Sequence, residues 1–63
     1  MIRIEYIYKS IRTKKWMIAE KEFNNVKKAL RFLYAINRAG GIIVAWYCDD
    51  PYDNEYLNQR FNP

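Results

Sequence analysis

Few side chains in this sequence could do covalent chemistry. Ser10 is the only serine, Cys48 is the only cysteine, and histidine is absent. General acid–base catalysis most often uses histidine, and Ser10 has no candidate base close to it in sequence. Cys48 closes the most apolar stretch, Ile42 to Cys48, where a thiol serves as a small buried hydrophobe. A reactive thiolate needs a basic, partly exposed setting. Asp49 and Asp50 follow directly and should instead raise the thiol pKa. The expectation is a protein that is not an enzyme and carries no cofactor.

A second group is acidic: Asp49, Asp50, Asp53 and Glu55. Hard cations favour such oxygens, but the spacing is not that of an EF-hand loop and no glycine allows its sharp turn. Helix capping accounts for Asp50 and Asp53, so no metal site is expected; the cluster could instead meet a basic partner. A Cys/His zinc site is excluded within one chain by composition.

A third group is basic. Lys27, Arg31 and Arg38 recur at offsets of four and seven, which places them on one helical stripe with Lys28 alongside. Such a stripe can neutralise phosphates and release their counterions. Arg12, Lys14 and Lys15 in a turn could extend it, and Trp16 could stack on a base. The plain alternative is that an amphipathic helix needs a charged outer face and that Lys and Arg form helix well. No aromatic RNA-binding motif, GXXG loop or zinc-finger spacing accompanies the stripe.

The last group is aromatic. Tyr52, Tyr56 and Arg60 in the C-terminal tail are residue types enriched at interface hot spots. With Tyr47 and Met17 they form the candidate partner-binding set.

These residues need a frame. Ile2, Ile4, Tyr6 and Tyr8 alternate with Arg3, Glu5, Ile7 and Lys9, the period of a half-buried strand. A polar turn leads to a second short strand, Trp16 to Glu20, and the two form a hairpin. Asn24 or Asn25 can cap a helix. Val26, Ala29, Leu30, Leu33 and Ile36 share its apolar face, and Gly40 and Gly41 stop it, so the helix spans 24–39. Ile42 to Cys48 is a third strand. Asp50-Pro51 opens a short helix to about Arg60, with Asp as cap and Pro in the first turn.

The resulting expectation is one small α+β domain over 1–63, with a β-β-α-β body at 1–48 and an acidic, aromatic tail at 49–63. Its three-stranded antiparallel sheet takes the order 2-1-3, with the main helix on one face. The face bearing Ile2, Ile4, Tyr6, Trp16, Ile18, Ile42, Val44 and Trp46 is assigned to the core, because turning Arg3 and Glu5 inward would bury charge. The opposite face then carries Ile7, Met17, Ala19, Ile43, Ala45 and Tyr47, too apolar for a solvated sheet. Its cover is the tail, a second copy or a target.

Composition narrows the setting. Residues 1–47 hold ten Lys/Arg against Glu5, Glu20 and Glu22, a balance of +7, and residues 48–63 balance to −3. The basic body suits an anionic partner, unless the acidic tail folds back and neutralises part of it. A chain this short buries only about 60% of its unfolded surface, and a lone cysteine cannot make an internal disulfide. That lone thiol, and an N-terminal stretch with charges inside it, suit a cytoplasmic protein without a signal peptide. No apolar run approaches the roughly 20 residues of a membrane span, and the apolar helix face is needed for the core rather than for a membrane surface.

Ile, Lys, Asn, Tyr and Phe, all with AT-rich codons, are abundant, which suits a bacteriophage protein. The leading expectation is a small protein-interaction module, a phage-type accessory protein or inhibitor that modulates a host protein. The alternatives are a DNA- or RNA-binding module using the basic helix, and a structural protein that self-associates as a homodimer.

Overall fold

The computed structural model describes residues 1–61; the last two residues of the tail, Asn62 and Pro63, lie outside them. The elements are β1 (Ile2–Lys9), β2 (Trp16–Phe23), α1 (Val26–Arg38), β3 (Ile42–Cys48) and α2 (Pro51–Arg60). The sheet is antiparallel with strand order β2-β1-β3, as expected.

Each helix is bounded by local chemistry. Asn25 caps α1, its Oδ1 accepting from the amides of Lys27 at 2.8 Å and Lys28 at 3.3 Å. At the other end Gly41 N–H donates to the Ile36 carbonyl and Gly40 N–H to that of Asn37. Gly40 has φ +85°, so this is a Schellman stop that needs the left-handed residue. Asp50 caps α2 by accepting from Tyr52 N–H at 2.8 Å, and Pro51 occupies the first helical position.

Ile2, Ile4, Ala29, Leu33, Leu57 and Phe61 make the buried core. It lies between one face of the sheet and the two helices. α1 supplies Ala29 and Leu33 with Phe32 beside them, and Phe32 meets Tyr6 edge-on at 5.0 Å. α2 supplies Leu57, and Phe61 follows it, touching Trp46 at 6.0 Å and Tyr34 at 5.6 Å. Two hydrogen bonds fix α2 in place. Tyr34 O–H donates to the Arg60 carbonyl at 2.7 Å, and Trp46 Nε1–H donates to Asn54 Oδ1 at 3.2 Å.

The described part of the tail therefore packs on the same side of the sheet as α1 and does not cover the other side. Nor does it pair with the basic body on α1: the ion pairs among the described residues are Met1 N-terminus–Asp49, Arg3–Glu5 and Arg3–Glu20.

The expected core face needs two corrections. Lys9 pairs with Trp16 and Ile7 with Ile18, so Trp16 and Ile18 share the face of Arg3 and Glu5, away from the helices. Ile18 is 81% exposed and Trp16 54%. Met17 and Ala19 move to the helix side, opposite Tyr8 and Tyr6. On β3 the register shifts between Glu5 and Tyr6, so Ala45 pairs with Glu5 but Ile43 with Tyr6. That extra residue, Val44, reverses the alternation. Trp46 stays inside as expected, Ile43 joins the core side, and Ile42 and Val44 turn outward with about half their surface exposed.

Candidate functional site

The open face of the sheet is the most distinctive surface. Ile7 on the central strand is flanked by Ile18 on β2 and Ile42 on β3, a row of three isoleucines across the sheet. Trp16 borders that row on the hairpin side and Val44 on the other, so an apolar patch spans all three strands. Directly opposed residues on adjacent strands lie about 4.5–5.5 Å apart at Cβ, close enough to form one continuous surface.

Charge flanks the patch at both ends with opposite sign. The far end holds Glu5, Glu20 and Glu22 with one cation, Arg3. The Arg3 guanidinium lies 4.0 Å from Glu5, 3.7 Å from Glu20 and 4.7 Å from the Tyr47 ring centroid. The hairpin end holds Lys9 and the turn residues Arg12, Lys14 and Lys15, without an acid. Lys14 takes φ 58° in this turn, which Lys14 N–H closes by donating to the Ser10 carbonyl at 2.8 Å.

The structure does not gather the expected partner-binding residues into one place. Tyr47 lies on the open face beside Arg3. Met17 lies on the helix side, where the hairpin runs past the end of α1, and is exposed there. Tyr52, Tyr56 and Arg60 are on α2. Tyr56 packs against the core and carries the Arg60 guanidinium 3.8 Å over its ring, whereas Tyr52 is exposed. The residues missed by sequence reasoning are Trp16, Ile18, Ile42 and Val44, which it assigns to the core. For Trp16 and Ile18 the signal lay in Glu20 and Glu22, which share their face.

Lys27, Lys28, Arg31 and Arg38 are all exposed on α1. None has a carboxylate within 4.0 Å among the described residues, and α1 itself contains no acid. Arg38 sits at the hairpin end and Lys27 at the other, about 16 Å apart along the helix axis. The Arg12–Lys15 turn lies beyond the Arg38 end. On the same side, Tyr6, Tyr8, Ile11, Ile36 and Gly41 line a cleft of about 370 Å³ where the hairpin overhangs α1. Gly41 leaves little room there: a Cβ would come to 2.7 Å from Ile36 Cγ2 and 3.0 Å from the Ile7 carbonyl oxygen.

Cys48 is half buried against the core. Burial pushes its thiol pKa up, Asp53 adds to this, and Asp49 and Asp50 contribute less; the N-terminal ammonium opposes them. The acidic residues do not gather: among the described residues no three or more His, Cys, Asp or Glu side chains form a group that could hold a metal. No helix among the described residues is long and apolar enough to cross a membrane.

Comparison with protein-family models, with curated proteins and with solved structures finds no match.

Proposed function

We propose that this protein is a small, non-catalytic protein-interaction module whose working surface is the open face of the sheet. One observation carries the reading. Both helices pack on one side, and the isoleucine row with Trp16 and Val44 is left uncovered on the other. A solvated antiparallel face normally alternates to polar residues, and a contiguous apolar patch rimmed by charge marks a protein contact. The non-catalytic part is supported by the raised thiol pKa of Cys48 and by the lack of histidine. A phage-type accessory or inhibitory protein would act in this way, by covering a surface rather than by turning over a substrate.

The test is a photo-cross-linking residue placed at Ile18, with a control at Lys28 on α1. Protein adducts formed from position 18 and absent from position 28 support the reading. Adducts from position 28 alone contradict it.

A second reading, nucleic-acid binding through α1, is favoured by one observation: Lys27, Lys28, Arg31 and Arg38 stand without carboxylate partners among the described residues, on an acid-free helix. It expects binding to DNA or RNA that falls steeply with salt and weakens in the combined Lys27→Ala/Arg31→Ala variant. Unchanged affinity in that variant removes it.

A further inference from the structure

We infer that the open face is the interface of an isologous dimer, two copies stacked sheet on sheet about a two-fold axis that crosses the strands at the Ile18–Ile7–Ile42 row. This rests on the open face being the working surface, and it names the partner as a second copy.

Face-to-face sheets pack about 10 Å apart with strands within about 30° of alignment. A two-fold axis lying between two such sheets has two simple settings. With the axis along the strands, each hairpin end meets its own equivalent. Lys9 would then face Lys9 of the second copy, and the basic turns would sit together. With the axis across the strands at Ile7, the direction reverses. Residues two positions toward the turn then meet residues two positions away from it.

In this second setting each isoleucine of the row meets its own copy, and Lys9 faces Glu5 of the second copy. Likewise on β2, counting two positions each way from Ile18, Trp16 covers the stem of Glu20, and the basic turn that precedes Trp16 approaches the end that holds Glu22. The alternation of the strands puts every one of these strand residues on the open face, so one choice of axis satisfies the apolar row and both charged ends at once. Opposite charge at the two ends of the face is what a self-complementary surface requires, and like charges placed in opposition disfavour the other setting.

The face offers roughly half the 20–30 residues a side of a standard interface. The dimer should therefore dissociate on dilution, with a Kd on the order of micromolar.

The experiment is sedimentation equilibrium of the full chain from about 1 μM to about 1 mM, with circular dichroism confirming that each variant is folded. Lys9→Glu and Glu5→Lys should each weaken the dimer roughly tenfold, since every dimer contains both symmetry-related pairs. Combining them should restore the wild-type Kd. Ile18→Lys should leave a folded monomer. A dimer that survives Ile18→Lys, or a double variant that is not restored, overturns the inference. So does a monomer at every concentration. In that last case adducts with other proteins from position 18 leave the interaction module standing, and their absence removes both.

Discussion

The two faces of the sheet are made from the same residue types and meet different fates. The covered face brings Ile2, Ile4, Tyr6, Ile43 and Trp46 against two helices, and Ile2 and Ile4 become almost wholly buried. The open face brings Ile7, Trp16, Ile18, Ile42 and Val44 together, and most of that surface remains exposed. The contrast teaches that apolar content alone does not decide which side of a small sheet becomes the core. The decision is made by where the charges fall. Arg3, Glu5, Glu20 and Glu22 all share one face, and burying them beneath α1 would cost more than exposing three isoleucines.

The largest expected difference between the faces is in stability. Leu33→Ala, beneath the sheet, should cost about 2–5 kcal/mol, a large part of what a 63-residue chain has. Ile18→Ala, on the open face, should stay within about 0.5 kcal/mol. Urea unfolding of both at a concentration where the wild type is monomeric checks this. Equal losses would break the comparison.

Next is the dependence of the covered side on α2. Phe61→Ala removes the ring between Trp46 and Tyr34 and should cost about 3 kcal/mol. In a Trp16→Phe background, emission from the remaining Trp46 should shift to the red as water reaches it. An unchanged spectrum would mean that α2 adds little to the cover.

The smallest effect concerns Cys48, a chemical probe of the covered side. Its thiol pKa is raised in the folded state, chiefly by burial. The contribution to stability is therefore complete below the thiol's ordinary pKa and is lost as pH rises through the folded value. Because the thiolate is the nucleophile, iodoacetamide should modify the folded protein more slowly than the urea-unfolded chain at the same mildly alkaline pH. Equal rates would place Cys48 outside the cover.

Much of this was legible in the sequence. The alternation on β1, an asparagine cap at Asn24 or Asn25, the Asp50 cap, the glycine stop and the strand order 2-1-3 all follow from local pattern, and the structure selects Asn25. α1, expected over 24–39, forms at Val26–Arg38. The faces of β2 and β3 were not legible, for two separate reasons. Over Trp16 to Glu20 the two faces of β2 are about equally apolar, and only the full strand to Phe23 settles them. There Glu20 and Glu22 fall with Trp16 and Ile18, and Phe23 falls with Ile2. On β3 the bulge at Val44 inserts a residue, so an alternation counted from Trp46 assigns Ile42 and Val44 to the wrong side. The side taken by the tail was open as well, because Tyr56, Leu57 and Phe61 could have covered either face. Trp46 and Tyr34 select one through the Asn54 and Arg60 hydrogen bonds.

The central claim is that the open face is the working surface. The most direct measurement is a dilution series read in the isoleucine methyl NMR spectrum, because isoleucines lie on the open face, in the core and at the cleft beside α1. The account expects the methyls of Ile7, Ile18 and Ile42 to shift with concentration while those of Ile2, Ile4 and Ile36 stay fixed. Movement of Ile11 and Ile36, at the cleft beside α1, with Ile18 and Ile42 unmoved would contradict it.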